Sequence, residues 1–345
     1  MTDHSRPEIA PALAAAWRHT RAARADLRAW QDARLRRLVL HAYDAVPHYR
    51  RLFDRHRLHP RHIRGTIDLD LIPFTDKAQM QRQGPLGVLA RGHDADALHA
   101  VHGRGPSGEP FVVRRTWLED KLHELLRLRA FRAFGVRHRD RIVAVGAAGS
   151  FRAFGFQPRH LIDGLQDPAE VARRLREAEP EVLIGLPGML GRLSAPELAD
   201  AMREVRPRVV IIGGEAAAPA LRLRLRETFG APLYETYVSH ECPIMAWECR
   251  HSGALHTCDG VLVEVLRDGR PAEPGERGEV VVTNLHAYAM PFIRYRIGDL
   301  ATREAPCECG APFPTIGEIR LPEPPGAQID RTQPAADPDR RMLGA

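Results

Sequence analysis

The sequence predicts an α/β core with a helical N-terminal portion and a small β subdomain. Three observations carry this. Between Arg141 and Tyr237, short apolar runs alternate with helical patterns, which predicts helices layered on a largely parallel sheet. Residues 8–58 place apolar side chains at helical spacing among arginines. From Val261 the texture changes to two strand-like runs on either side of an Asp268-Gly269 turn. The expected organisation is a helical portion over residues 1–100, an α/β core over 101–260 and a β subdomain over 261–320. A disordered Pro-rich tail is expected over 321–345.

Each element has its own reason. Leu27, Trp30, Leu35, Leu38 and Val39 mark the apolar face of the first helices, which Pro47 interrupts. Asp68 to Thr75 reads as a loop, and residues 76–100 as polar and irregular. Gly103–Pro110 is a flexible loop followed by a strand at Phe111–Val113. Residues 117–134 form an amphipathic helix with Leu118, Leu122, Leu125 and Leu126 on one face and Gly135 at its end. Arg141–Gly146, Glu181–Leu186, Val209–Ile212 and Pro232–Tyr237 are the strands, with Pro168–Glu179 and Ala218–Phe229 as helices between them. Val261–Leu266 and Gly278–Leu285 pair as a hairpin with a long turn. Pro322, Pro324, Pro325, Pro334 and Pro338 set the character of the tail.

Composition bounds the class. A chain of 345 residues fits two domains, or one large α/β domain with an appendage. With 44% hydrophobic and 27% charged residues it is not a wholly disordered chain. No apolar run approaches the roughly 18–20 residues of a membrane helix. Met1–Ala10 carries no signal-peptide stretch, so a cytoplasmic protein without a membrane partner is expected. Residues 1–64 hold 14 arginines against 6 acids, within a formal net charge of +6. Such a segment would attract nucleic acid. Its arginines interleave with apolar residues and read instead as solvated helix faces, so nucleic acid is not the expected partner. The odd number of cysteines, five, argues against a disulfide framework.

Four segments carry chemistry. Gly103-Arg-Gly-Pro-Ser-Gly-Glu-Pro110 would bring backbone N–H groups to phosphate oxygens, although no Gly-Lys-Ser/Thr follows as in a Walker A loop. Gly213-Gly214-Glu215 ends a buried strand, and ligands of open α/β sheets favour the carboxyl ends of strands. Tyr237-Val-Ser-His-Glu241 also follows a strand, and its Glu241 would hold Mg²⁺. Tyr295-Arg-Ile-Gly-Asp-Leu300 puts Asp299 where a carboxylate accepts ribose hydroxyls. Taken singly, each reads as a surface turn or a solvated acid.

Order and spacing change that. Together the segments resemble the large, N-terminal domain of the adenylate-forming (AMP-binding) superfamily, and within it the phenylacetate–CoA ligase family with its capsule-biosynthesis-associated relatives. Ala42-Tyr-Asp-Ala-Val-Pro-His-Tyr-Arg-Arg-Leu-Phe53 is similar to that family's opening signature, and Ile72-Pro-Phe-Thr-Asp-Lys77 to its Leu-Pro-Phe-Thr-x-Lys segment. Ala289-Met-Pro-Phe-Ile-Arg-Tyr-Arg-Ile-Gly-Asp-Leu300 is the most specific match. The resemblance runs from about residue 30 to 320. It implies joining of a small aryl or acyl carboxylic acid to ATP, with release of pyrophosphate and formation of an acyl-adenylate. It also implies roles. Gly213, Gly214 and Glu215 match the adenine-side strand end, Tyr237 the aromatic residue that stacks on adenine, and Asp299 the ribose ligand. Glu241 matches the Mg²⁺ carboxylate, and Arg320 sits near the hinge-proximal arginine.

The departures matter. The family's phosphate loop resembles Ser-Ser-Gly-Thr-Thr-Gly-x-Pro; in this chain three hydroxyls are gone and Ser107 alone remains. Pro106 removes a backbone donor. Arg104 offers a charged fork in their place, or the loop no longer grips pyrophosphate. Val238 replaces the usual Gly, and His240 replaces a Ser/Thr. His240 either donates to a phosphate as a catalytic partner of Glu241 or fills a degenerate site. The family's large domain is followed by a small C-terminal domain that supplies a lysine and then hosts thioester formation. In this chain no lysine follows Lys121. Activation without thioester formation is therefore expected, with a small-domain or carrier protein in trans. The alternative is a non-catalytic homologue acting as a binding or partner subunit.

A second constellation is Cys249-x₆-His256 followed by Cys307-x-Cys309-Gly310. Three thiolates and one imidazole make a closed tetrahedral set for structural Zn²⁺, with no open position for catalysis. Relatives in the family show a similar pattern. The alternative is reduced side chains lying near one another, with Cys242, Cys258 and His251 as spare candidates.

Overall fold

The structure is a computed structural model that describes residues 18–19, 22–104, 110–147 and 160–320. The expected tail, the centre of the Gly103–Pro110 loop with Ser107, and the first 17 residues lie outside the described residues.

Helices α1 (Arg24–Ala45) and α2 (Pro47–Arg55) meet at the extended Val46, with Pro47 at the first turn of α2, where its missing N–H costs nothing. Both bury the apolar faces read from the sequence, Leu35, Leu38 and Val39 in α1 and Tyr49, Leu52 and Phe53 in α2. Strand β1 (Thr75–Asp76) leads into α3 (Lys77–Arg82) and α4 (Gly84–Val88). Irregular structure was expected over this stretch. The Asp76 side chain accepts from the Gln79 N–H at 2.7 Å, a cap that starts a helix despite the polar composition.

Strands β2 (His99–Arg104) and β3 (Pro110–Arg115) form a separate hairpin. Helix α5 (Trp117–Ala133) opens with a capping box between Thr116 and Glu119. It closes at Gly135, whose φ of +86° suits only glycine well. Then follow β4 (Ile142–Gly146), β5 (His160–Asp163), α6 (Pro168–Ala178), β6 (Val182–Gly185), α7 (Pro187–Arg192) and α8 (Ala199–Glu204). The alternation ends with β7 (Val209–Gly213), α9 (Pro219–Phe229) and β8 (Leu233–Tyr237). The all-β part comprises β9 (Ala246–Glu248), β10 (Leu255–Thr257), β11 (Val261–Arg267) and β12 (Arg270–Pro271). It closes with β13 (Arg277–Asn284), β14 (Tyr295–Arg303) and β15 (Thr315–Arg320).

One sheet of 13 strands takes in both halves, in the order β12-β11-β13-β14-β15-β10-β9-β8-β7-β6-β4-β5 with β1 beside β14. The expectation of a largely parallel sheet holds for β5-β4-β6-β7-β8, with α6 between β5 and β6, α7 and α8 between β6 and β7, and α9 between β7 and β8. From β9 onward the connections lack helices and the pairing is antiparallel, except for β1 on β14. Strand β10 pairs with both β9 and β15, so the β region continues the core sheet.

Side chains of the parallel strands alternate. Val143, Val145, Leu183, Val210 and Ile212 face Leu175, Leu225 and Phe229 of the helices on one side. Ala144, Val182, Ile184, Val209 and Ile211 face Leu126, Ala130 and Phe131 of α5 on the other. With both faces covered, the strands open to a ligand only at their carboxyl ends. The two segments resembling family signatures also meet. Thr75 and Asp76 pair in parallel with Tyr295 and Arg296, and Thr75 Oγ1 donates to the Ile293 carbonyl at 3.0 Å. The buried Tyr49 hydroxyl donates to the Pro291 carbonyl at 3.0 Å and accepts from the Ile293 N–H at 2.9 Å.

Candidate functional site

Strands β7 and β8 end side by side. A Cβ built at Gly213 would lie 2.6 Å from the Thr236 carbonyl oxygen, so only glycine lets the two strand ends approach this closely. Thr236 Oγ1 donates to the Ile212 carbonyl at 3.2 Å and ties them further. Tyr237, the last residue of β8, is buried, and its hydroxyl donates to Asp299 Oδ2 on β14 at 2.6 Å. Burial raises the Asp299 carboxyl to about 6; the Tyr237 hydrogen bond opposes this and the charge of Glu241 adds to it. Glu241 Oε1 accepts from the Tyr295 hydroxyl at 3.0 Å. The site thus contains two phenol–carboxylate pairs side by side.

The segment after β8 is held by three clamps. Arg115 of β3 donates to the His240 carbonyl at 2.8 Å, and Asn284 Nδ2 to the Glu241 carbonyl at 3.0 Å. Ser239 Oγ accepts from the Cys242 N–H at 3.0 Å. The His240 ring covers Gly103 at the mouth of the loop: a Cβ there would lie 2.5 Å from His240 Nδ1. Burial lowers the His240 imidazole below its usual range, with Glu241 opposing and Arg115 adding to the effect. A neutral ring can donate from one nitrogen and accept at the other.

The structure therefore brings together Gly213, Tyr237, His240, Glu241 and Asp299. Gly214 continues the turn at φ +83°. Glu215 points across to α7 and accepts from the Gly188 N–H at 3.0 Å. Arg320 is exposed at the end of β15, opposite Leu300 and so beside Asp299. Arg104 ends β2, next to residues 105–109, which lie outside the described residues. Tyr295, Arg115 and Asn284 had no assigned role in the sequence. Tyr295 lies inside the Ala289–Leu300 segment, and the resemblance of that segment to the family was the signal for it.

At the opposite end of β8 lies the thiol–imidazole group. Ala246 pairs with Tyr237 and Trp247 with Thr236, so Cys249 extends away from the strand ends. One ligand atom each from Cys249, His256, Cys307 and Cys309 all lie within 4.8 Å of one another. Cys307 Sγ is 3.6 Å from Cys249 Sγ, and Cys309 Sγ is 3.3 Å from His256 Nε2. Burial raises the Cys249 thiol, but the His251 and Ser252 N–H groups and His256 outweigh it and hold it at about 6. Gly310 at φ +78° makes the turn that returns the Cys307–Cys309 strip.

No protein-family model matches the chain. Among curated proteins, the phenylacetate–coenzyme A ligase of Thermus thermophilus is 30% identical over 322 residues, which span 86% of this chain and 70% of that protein. The chain belongs to the phenylacetate–CoA ligase family. A second member, from Aromatoleum evansii, is 30% identical over 298 residues, covering 81% of this chain and 67% of that ligase. The fold matches a crystal structure of 2-hydroxyisobutyryl-CoA ligase in an open conformation with 2-HIB-AMP and CoA. Its TM-score is 0.70 at 22% identity, over 84% of this chain and 72% of that one. This phenylacetate–CoA ligase family member thus has the mixed α/β architecture of adenylate-forming enzymes. Among its described residues no helix is long and apolar enough to cross a membrane.

Proposed function

We propose that the chain activates a small carboxylic acid with ATP to give an acyl-adenylate. The observation that carries this reading is the pairing of Tyr237 with Asp299 beside Glu241 and His240, at the carboxyl ends of β7 and β8. Family membership supports it. Tyr237 offers a face for adenine against Gly213, Gly214 and Glu215, and Asp299 accepts the ribose hydroxyls. A carboxylate oxygen of the acid attacks the α-phosphorus, and the bond to the pyrophosphate oxygen breaks. The phosphate side falls to His240, Arg104 and Ser107, with Arg320 at the rim. Glu241 suits Mg²⁺, an oxygen-seeking cation that would neutralise charge on the phosphates. The protein's work is to hold the reacting atoms in line and to exclude water.

Structural zinc fits the second group. Three sulfurs and one imidazole lie within one coordination sphere's reach, an N–H donor to Cys249 lowers its pKa, and the group stands at the far end of β8 from the candidate nucleotide site. Five free thiols fit a reducing, cytoplasmic setting.

The altered Gly103–Pro110 loop favours a second reading, a homologue that binds but does not turn over. Calorimetry of the full chain with ATP·Mg²⁺ and then a non-hydrolysable acyl-adenylate analogue separates the two. Tight binding of the analogue together with pyrophosphate release supports activation. Binding without release supports the second reading, and no nucleotide binding overturns the first.

A further inference from the structure

Arg51 and Arg55 stand one turn apart on α2, so both side chains leave the same face of that helix. Across from them lie Arg82, the last residue of α3, and Arg296 of β14. The four guanidinium groups line one cavity of about 570 Å³ that water can enter, and no aspartate or glutamate lines it with them. Neither Arg55 nor Arg82 has an acid within ion-pair distance among the described residues. Arg51 donates to the Gln83 amide oxygen at 2.6 Å, which holds the side chain but leaves its charge uncompensated. Arg296 does have an acid, Glu279 of β13 at 3.4 Å, in a pair open to solvent. Asp76 is committed to the cap of α3.

His48, on the same helix as Arg51 and Arg55, registers the field these arginines make. Its ring is buried and forms part of the cavity wall. Burial lowers the imidazole to about 4; the charges of Arg51 and Arg55 add to this, and Asp76 opposes it. The ring is therefore neutral at pH 7 and adds no charge of its own. Like charges held around one water-filled space repel each other, and an anion entering that space relieves the repulsion.

The cavity lies apart from the candidate nucleotide site. Successive residues of a strand point to opposite faces. Tyr295 of β14 turns its hydroxyl to Glu241, whereas Arg296 turns the other way, over the Phe74 ring.

We propose that this cavity is a second anion site, separate from the candidate nucleotide site, which binds a phosphoanhydride chain: pyrophosphate, a longer polyphosphate, or the diphosphate of a nucleotide. The proposal goes beyond the activation reading and does not rest on it. Such a chain concentrates several negative charges within a few ångströms, which suits guanidinium groups converging on one space from three elements. Polycarboxylates spread their charges over a carbon skeleton. The lining favours a free chain over a nucleotide. Phe74 already carries Arg294 and Arg296, each guanidinium 4.3 Å from its ring centre, so the ring is taken up and offers no stacking platform to a base.

The test is calorimetry of the full chain, without Mg²⁺, with tripolyphosphate, pyrophosphate, ADP and citrate. The expected result is binding of tripolyphosphate at least about tenfold tighter than citrate, and a loss of at least about tenfold in Arg55→Gln/Arg82→Gln. Arg57→Gln/Arg61→Gln removes the same charge from exposed arginines that do not line the cavity, and should leave the affinity as it is in the parent. Should the first pair not fold, the single variants Arg55→Gln and Arg82→Gln decide. Pyrophosphate binding tighter than ADP identifies a free chain as the ligand; tighter ADP binding that the cavity variant loses identifies a nucleotide's diphosphate. Citrate binding as tight as tripolyphosphate, full affinity in Arg55→Gln/Arg82→Gln, or equal losses in the two double variants overturns the proposal.

Discussion

Asp299 stands between a phenol and a second carboxylate, and its charge state follows from both. Burial raises its carboxyl to about 6, the Tyr237 hydrogen bond works against that, and Glu241 works with it. In the proposed role Asp299 accepts ribose hydroxyls more strongly when ionised, so nucleotide affinity should be full above pH 7 and fall as pH drops through about 6. Binding titrations between pH 5 and 8 check this, and Asp299→Asn should flatten the acid limb. At pH 7.5 Asp299→Ala should weaken ATP binding by roughly 1.5–3 kcal/mol, the worth of a hydrogen bond to a charged group. Unchanged affinity would remove Asp299 from the site. Asp299, Tyr237 and Glu241 were legible because each lies in a short segment with a fixed order of residue types. Arg115 and Asn284 were not. Each matters only because β3 and β13 fold back onto the segment after β8, and no local pattern encodes that return.

Helix α5 shows where periodicity misleads. Four leucines set its apolar face in the sequence, and Leu122 and Leu126 are buried as expected. The helix also buries Glu119, His123, Arg127 and Arg129, charges that composition reads as solvent-facing. Glu119 accepts from the Ala289 N–H at 2.8 Å, and Arg129 pairs with Asp259 and lies 4.9 Å over the Trp247 ring. Asp259 is held far below the usual carboxylate range: burial opposes ionisation, but Arg129 and His19 overcome it. Its folded pKa is depressed, so the stability it lends is present above the unfolded value and lost as pH falls below about 4. Asp259→Ala should cost about 3–5 kcal/mol near pH 7 by chemical denaturation, because it strips Arg129 of its acid. The gap between Asp259→Asn and the parent should narrow as pH drops below 4; a gap independent of pH would contradict this account. The thiol–imidazole element makes a separate prediction. Metal analysis of the purified chain should give about one zinc per chain, and chelation or Cys307→Ser should lower the thermal midpoint without abolishing nucleotide binding. A metal-free preparation with the parent's stability would dismiss zinc. The spacing of those four side chains was legible, whereas their position at the far end of β8 required the β8–β9–β10 register.

Across the whole molecule, one sheet joins what the sequence divides at residue 261. Helical crossovers stop earlier, after β8, and β9 and β10 already run antiparallel ahead of residue 261. Strand β10 bridges β9 and β15, and β1 reaches from residue 75 to pair with β14. Strand type was readable from local alternation, but the partners of β10 and β1 lie far away in sequence and leave no local trace. This continuity makes the candidate nucleotide site rigid: Tyr237, Glu241 and Asp299 are fixed to one another through sheet pairing and side-chain hydrogen bonds. Adenylate formation also draws on a cation placed at the α-phosphate, and lysine is scarce in this chain. The chain has lysines only at positions 77 and 121, and Lys121 is paired with Glu124 at 2.6 Å on α5. Much of the rate in adenylate formation comes from placing charge where it develops. The 345-residue polypeptide, assayed alone with ATP·Mg²⁺, CoA and a panel of aryl and short acyl acids, should therefore release pyrophosphate slowly and make no CoA thioester. Adding a separately produced small domain from a family member, which carries the lysine, should raise pyrophosphate release by at least about tenfold, a change of about 1.4 kcal/mol in the barrier. Substituting that domain's lysine by alanine should cancel the gain. Robust thioester formation by the polypeptide alone would show that this sheet and its arginines suffice for both half-reactions, and a partner in trans would then have no part in turnover.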